Sequence, residues 1–265
     1  MNQTPPAVSG DLPPSPAIPK TSLWGRLFNV IAAPGDVFDE VKASPPSNAN
    51  WLAPALLFMV VAWLGSWLVL SQDFTKQQIA DIQEKAVQKQ VEKGKISKDQ
   101  AEAMRAGMER YGRIGQTIGA AVAPPFMAFA SPFWFGLIVW LLGAKLFKGH
   151  FDYIKGVEAA GLVGMIAILE SVLRTLMIMV FGNVFAGPHA GMIFGSGYDA
   201  TNPIHTLLAK VDLMTFWELA VLSLGLARLA GVSFGKAVAA LGGLWVLWTA
   251  FISSIGWLIK LLTGT

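Results

Sequence analysis

The sequence predicts an all-α, polytopic membrane protein in which five transmembrane helices form one bundle. Hydrophobic residues make up 54% of its 265 residues and charged residues only 14%, whereas soluble domains carry about 25% charged residues. The charges are also concentrated, since nine of the 20 basic and seven of the 17 acidic residues lie between residues 73 and 113. Outside that segment, five stretches are long and apolar enough to cross a bilayer, which takes about 20 residues.

The N-terminal segment has the composition of an unstructured tail. Residues 1–20 contain six prolines and no apolar run. Such a segment cannot bury enough apolar surface to offset the entropy of folding, so residues 1–22 are predicted to form a Pro-rich disordered tail. The segment also lacks the apolar core of a secretory signal peptide.

Two short amphipathic segments precede the first span. Apolar residues recur along one helical face from Leu23 to Ala32, and a second such face runs from Gly35 to Lys42. We predict two interfacial helices that lie in the plane of the lipid headgroups. The alternative is a soluble cap that packs on the ends of the spans.

The five spans are predicted at about residues 51–70, 114–142, 156–181, 211–230 and 237–262. The second is the longest and contains Pro124 and Pro125, which cannot donate backbone hydrogen bonds. We favour one kinked helix here over a shorter helix with an interfacial lead-in.

Residues 73–112, between the first two spans, are predicted to form a charged extramembrane helical hairpin. Gly94 is predicted to end the first arm, and the run from Ser97 to Gln100 matches a capping box that opens the second. On the second arm, Met104, Met108 and Tyr111 recur at helical spacing. Either the two arms pack on each other and are solvated outside, or the Met-lined face binds a partner, because Met side chains adapt to varied ligands.

Charged residues within the third and fourth spans are costly in hydrocarbon and are normally paired. Counting 1.5 Å per residue along antiparallel helices, Arg174 lies at the depth of Glu218, and Glu158 at the depth of Arg228. Glu170 and Arg174 also form an i,i+4 pair. These charges predict either ion pairs that fix the register of the two helices or a polar pathway for a transported ion, proton or solute.

Small residues recur every fourth position in several spans, which lets helix backbones approach closely. The rows serve either packing within the bundle or a homo-oligomer. They are Gly115, Gly119 and Ala123; Gly156, Ala160 and Gly164; Ser223, Ala227 and Gly231; and Gly235, Ala239 and Gly243.

Reactive groupings are not visible in the sequence. There is no cysteine, and the three histidines, His150, His189 and His205, are too scattered for a metal site. No nucleophile–base pair, nucleotide loop or basic stripe stands out. We therefore predict no catalytic, cofactor-binding or metal-binding residues, no cofactor, no nucleic-acid partner and no enzymatic activity.

Several stretches resemble the Yip family (Ypt-interacting protein, Yip-one domain) as found in bacteria. The resemblance covers roughly residues 23–260. Its motifs are Leu23-Trp24-Gly25-Arg26-Leu27-Phe28 with Pro34-Gly35-Asp36-Val37-Phe38; Phe151-Asp152-Tyr153-Ile154-Lys155; and Val211-Asp212-Leu213-Met214-Thr215-Phe216-Trp217 with the segments at 224–227 and 232–237.

This resemblance implies a multi-pass protein of the bacterial plasma membrane with a cytoplasmic N-terminus and an extracytoplasmic C-terminus. Charge counting alone barely separates the two orientations, because the hairpin holds many of the basic residues. The resemblance also implies that residues 23–265 form one Yip-type membrane domain, in which residues 73–112 are an insertion. Eukaryotic relatives are associated with Rab-type GTPases, but their cytosolic Asp-Leu-Tyr-Gly-Pro-type motif has no match here.

We predict a non-enzymatic scaffold or membrane-organising protein that contacts lipid and an unknown protein partner. The alternative is a transporter that uses Glu170, Arg174 and Glu218.

Overall fold

A computed structural model describes residues 21–200 and 202–263, so nearly all of the predicted tail at residues 1–22 lies outside the described part. Within that part the regular structure is helical, with one isolated antiparallel bridge between His189 and Asp212. Five helices are long and apolar enough to span a membrane: Ala49–Ser71, Ile114–Leu146, Tyr153–Phe181, Leu213–Ala230 and Phe234–Ile255. The predicted all-α polytopic fold is confirmed.

Helices α1 (Leu23–Ala32) and α2 (Pro34–Ala43) form a cap on one end of the bundle. The Ser22 side chain accepts a hydrogen bond from the Gly25 backbone N–H at the start of α1, and proline opens α2, where its missing donor costs nothing. One face is buried in the main core through Leu27, Val30, Val37, Phe38 and Val41.

The opposite face of α1 leaves two aromatic side chains largely uncovered. Trp24 is 59% exposed and Phe28 is 64% exposed. The packing of α1 and α2 on the span ends agrees with the cap interpretation. The exposed aromatic face of α1 agrees with the interfacial interpretation, because interfacial helices bury such side chains among the lipid headgroups. The interfacial placement stays a prediction.

Helix α3 (Ala49–Ser71) leads into the hairpin, whose arms are α4 (Asp73–Glu92) and the start of α5 (Lys98–Trp140). The predicted capping box at Ser97 and Gln100 is present with both of its hydrogen bonds. Helix α5 continues from the hairpin into the second span, past Pro124 and Pro125, and ends in a π-helical turn at Leu141–Leu146. The second span is therefore helical throughout, without a separate interfacial lead-in, and its kink stays a prediction.

Helix α6 (Tyr153–Phe181) is the central element of the bundle and packs against α3, α5 and α8 (Leu213–Ala230). Between α6 and α8 lie a 3₁₀ segment (Ala190–Gly197) and the short helix α7 (Pro203–Leu208). Helix α9 (Phe234–Thr263) is peripheral and packs mainly on α8.

Glycine lets α5 and α6 touch through their backbones. A Cβ added at Gly156 would lie 2.5 Å from the Gly136 carbonyl oxygen, and one added at Gly136 would lie 2.7 Å from the Val157 Cα. Gly156 and Ala160 thus pack inside the bundle, whereas Gly235 and Gly243 on α9 have nothing within 4 Å of an added Cβ. Of the small-residue rows, that of α6 serves intramolecular packing and that of α9 faces outward.

The outer surface of the spans is apolar. Trp67, Val180 and Leu247 are each more than two-thirds exposed, and in water such side chains would form a large exposed apolar surface that promotes aggregation. Lipid acyl chains cover this surface in a bilayer, so the molecule is an integral membrane protein whose spans face the lipid.

Candidate functional site

A cavity of about 390 Å³ lies between α3, α5, α6 and α8. Most of its wall is apolar, with Phe58 from α3, Met127 and Phe135 from α5, and small residues from α6. Its polar lining consists of two serines and three charged residues: Ser131, Ser171, Glu170, Arg174 and Glu218. The cavity volume falls in the range of small-molecule pockets.

Arg174 is held by two carboxylates. Its Nη2 lies 2.8 Å from Oε1 of Glu170, one turn earlier on α6, and 3.1 Å from Oδ2 of Asp212. Asp212 is buried at the start of α8, where its Oδ1 accepts hydrogen bonds from the backbone N–H groups of Met214 and Thr215. Asp212 therefore caps α8 and neutralises the arginine at the same time.

The loop after α6 closes over this arginine. Backbone hydrogen bonds from Ala190 N to Val211 O (2.9 Å) and from Leu213 N to Pro188 O (3.0 Å) hold the two ends of the loop together. Gly187 lies so close to the guanidinium that an added Cβ would be 2.5 Å from Nη1 of Arg174. The glycine at this position thus makes room for the charged side chain.

The pairing of these charges differs from the prediction that matched Arg174 with Glu218. Within the described residues, Arg174 pairs with Glu170 and Asp212, and the Glu218 carboxylate has no ion pair or hydrogen bond. Matching depth along two helices does not fix the rotation of each helix about its axis, and this rotation decides which side chains meet. Glu218 instead lines the same cavity as Arg174.

A second charged cluster lies at the opposite end of α6, beneath the cap. Lys155 Nζ donates to the backbone carbonyls of Val41 and Ser44, both at 2.7 Å, and lies 3.0 Å from Oε2 of Glu158. The other Glu158 oxygen accepts a hydrogen bond from the Ser47 backbone N–H. Glu158 is fully buried, and both of its oxygens have partners.

The predicted match of Glu158 with Arg228 is also replaced by other partners. Arg228 Nη1 lies 3.2 Å from Oδ2 of Asp39 on α2, and its backbone carbonyl accepts a hydrogen bond from Lys42 Nζ at 2.8 Å. Helix α2 packs on α8 at this end of the bundle and supplies the nearest carboxylate. The charge cluster under the cap therefore joins the cap to α6 and α8.

The charge balance distinguishes the two clusters. Under the cap, the ammonium and both carboxylate oxygens of the Lys155–Glu158 pair are engaged by neighbours, so that pair can lock the helices but offers little to a ligand. In the cavity, two carboxylates and one guanidinium line the wall: Glu170 pairs with Arg174, which Asp212 also binds from the start of α8, whereas Glu218 has no ion pair among the described residues. No group of three or more His, Asp or Glu residues placed to hold a metal ion is found in the described part of the chain.

Sequence reasoning missed three of the partners, although two left a local signal. Lys155 stands three residues before Glu158, at the spacing of neighbours on a helix. Asp212 precedes an apolar helical run, as an N-cap residue does. Asp39 gave no signal, because its contact with Arg228 depends on how α2 docks on α8.

The hairpin is the other candidate site, and it is firmly attached to the bundle. Gln78 Nε2 donates to the Gly182 carbonyl at 2.5 Å, and the Val184 N–H donates to Gln78 Oε1 at 3.0 Å. Lys89 Nζ lies 3.6 Å from Asp199 Oδ2 in the loop before α8. These contacts fix α4 to the segment that follows α6.

The two arms pack through Val87 and Ala101, which are buried. Arg105 donates to both oxygens of Glu84 at 2.8 Å, and this bond, helped by Gln88, lowers the pKa of that carboxyl to about 2. Apolar side chains nevertheless stay uncovered on the hairpin, since Ile82, Met104 and Tyr111 are all exposed.

Comparison with known proteins gives one family. The family described as "Yip1 domain" matches residues 28–256, which include the cap after its first turn, all five spans and the hairpin. No curated protein and no solved structure matches the chain.

Proposed function

Since this chain belongs to the Yip1 domain family, we propose that it is a non-enzymatic membrane-organising or scaffold protein that holds a protein partner through its hairpin. Support comes from the hairpin's attachment: α5 runs unbroken from the hairpin into the second span, and Gln78 and Lys89 join α4 to the segment between α6 and α7. A partner bound to the hairpin would be held at a fixed position relative to the bundle.

One observation carries this proposal: the hairpin exposes apolar side chains although 15 of its 40 residues are charged. Met104 and Tyr111 remain exposed on the second arm, and Ile82 on the first. An extramembrane hairpin that only packed on itself would bury these side chains between its arms. Adaptable Met and aromatic side chains on an exposed face are typical of protein-binding surfaces.

Site-specific photocrosslinking in living cells tests this function. A photoreactive amino acid replaces Met104 or Ile82 in the full chain, and the control places it at Leu64, an exposed position on the α3 span. We expect one discrete protein adduct of the same mass from both hairpin positions and none from position 64. Uniform, low-yield labelling from all three positions would contradict a partner on the hairpin.

The location and division of the chain belong to the same proposal. We place it in the bacterial plasma membrane with the N-terminus cytoplasmic and the C-terminus extracytoplasmic, and treat residues 23–265 as one domain that carries the insertion at 73–112. The outward row of small residues on α9 supports a homo-oligomer as a second partner, because helix backbones approach closely at such rows.

A transporter of a small solute, ion or proton is the second candidate function. The cavity supports it, because Glu170, Arg174 and Glu218 line one space inside the bundle and Glu218 is unpaired within the described residues. Unpaired ionisable groups at membrane depth mark transport pathways in many proteins. A flux that depends on Glu218 would separate this function from the scaffold.

A further inference from the structure

We propose that the cavity between α3, α5, α6 and α8 binds a monovalent organic cation, an amine with an apolar substituent, whose ammonium group pairs with Glu218. This inference goes beyond the interaction function and does not depend on it, because a bound amine need not cross the membrane or touch the hairpin. It rests on the charge balance, the shape and the lining of the cavity.

The charge balance selects a cation over an anion. Among the described residues that line the cavity, Arg174 is the basic one, and it already lies 2.8 Å from Glu170 and 3.1 Å from Asp212. An anionic ligand would have to displace one of these carboxylates. Glu218 adds a third carboxyl group, and a cation from outside the chain would complete its pairing.

The lining selects an organic cation over a metal ion. Hard metal ions such as Ca²⁺ take six or more oxygen ligands, whereas this wall is mostly apolar and, among the described residues, its side-chain oxygens come from two glutamates and two serines. Phe58 and Phe135 line the cavity and offer a large apolar contact to an organic substituent, which a bare metal ion does not have. The volume of about 390 Å³ leaves room for an apolar substituent beside the ammonium group.

Glu218 presents its carboxylate to this space from α8, while α6 contributes Glu170 and Arg174, and α3 and α5 contribute no ionisable group to the wall. The ammonium group is therefore expected on the Glu218 side of the cavity, away from the guanidinium. The apolar substituent then lies against α3 and α5, where Phe58, Met127 and Phe135 form the wall.

Binding of benzylammonium to the purified full chain in lipid nanodiscs at pH 7 tests the proposal. Benzyl alcohol serves as the neutral probe of similar shape, and ligand-detected NMR together with the shift in unfolding temperature gives the affinity. We expect saturable binding of benzylammonium and at least about tenfold weaker binding of the alcohol, because the ion pair is lost. Equal affinity for the two probes would overturn the proposal.

Two variants locate the site. Glu218→Gln keeps the shape of the side chain and should weaken benzylammonium binding about tenfold, with little effect on benzyl alcohol. Ala167→Leu, which fills the cavity and leaves the charges in place, should weaken both probes. Glu102→Gln on the exposed hairpin face is the matched control and should bind like wild type. Wild-type affinity for benzylammonium in Glu218→Gln would place the binding elsewhere and refute the proposal.

Nanodisc composition distinguishes the two sources of such an amine. If the headgroup of phosphatidylethanolamine fills the site, benzylammonium binds more weakly in discs that contain this lipid than in discs of phosphatidylglycerol alone, and Glu218→Gln abolishes the difference. Equal affinity in both discs assigns the cavity to a free amine. Either result upholds a cation site at Glu218, and loss of the saturable signal in both discs refutes it.

Discussion

Single side chains decide how this bundle accommodates charge. The pair of Lys155 and Glu158 is buried at the junction of the cap and α6, and its atoms are engaged by backbone groups of the segment around Ser44 and Ser47. Removing one member leaves the other charge buried without compensation. The pair is thus a sensitive test of cap docking.

Glu158→Gln and Lys155→Met should each lower the free energy of unfolding by about 3 kcal/mol or more, and the double variant should lose less than the sum. Chemical unfolding in detergent, followed by tryptophan fluorescence, measures these changes. Glu92→Gln at the end of α4, on the hairpin and not in the cap, is the control. Strictly additive losses would contradict the contact between the two side chains.

The partner of Arg174 offers a second test, because the structure pairs it with Asp212 whereas matching depth alone pairs it with Glu218. The structure predicts a coupling free energy of about 1 kcal/mol between Arg174→Met and Asp212→Asn, since membrane-embedded polar pairs contribute modestly. The cycle with Glu218→Gln should show almost no coupling. A larger coupling with Glu218 than with Asp212 would restore the pairing inferred from depth alone.

At the scale of elements, close backbone contact fixes α5 against α6. Gly156→Ala brings a methyl group against the Gly136 carbonyl and should destabilise the protein by about 1–3 kcal/mol. Gly243→Ala on α9 is the matched control: an added Cβ there has nothing within 4 Å, so the change should not destabilise the protein and should gain up to about 1 kcal/mol of helix propensity. Equal effects of the two changes on the unfolding midpoint would argue against the α5–α6 contact.

The hairpin should respond to acid through Glu84. Its pKa is lowered from 4.5 to about 2, so the bond to Arg105 stabilises the folded hairpin above pH 4.5, and this contribution is lost as the pH falls toward 2. Hydrogen exchange in residues 73–112 should be faster in Arg105→Met than in wild type at pH 6. The difference should largely vanish near pH 2. A constant difference at both pH values would mean that another contact holds the arms together.

The sequence was informative about elements and much less so about their contacts. Length and hydropathy predict the five spans, and Ser97 with Gln100 predicts the start of α5, because these signals are local. The partners of Arg174 and Arg228 depend on helix rotation and on the docking of α2 and the α6–α8 loop. Such long-range geometry leaves no periodic trace in one sequence.

At the scale of the molecule, the topology is set by an odd number of spans. Reporter fusions after residue 95 and at residue 265 should both score as extracytoplasmic, because one span precedes the first site and five precede the second. A fusion at residue 150, between α5 and α6, should score as cytoplasmic and is the internal control. A cytoplasmic score at residue 95 or residue 265 would contradict the proposed orientation.

The central claim is that this protein organises membrane components and does not carry a solute across the bilayer. Flux through proteoliposomes tests it most directly, with an entrapped pH-sensitive dye for protons and radiolabelled benzylammonium for organic cations. We predict that wild type and Glu218→Gln both match protein-free liposomes, because an amine bound at Glu218 need not cross the membrane. A flux that wild type supports and that folded Glu218→Gln abolishes would contradict the claim and establish the cavity as a transport pathway.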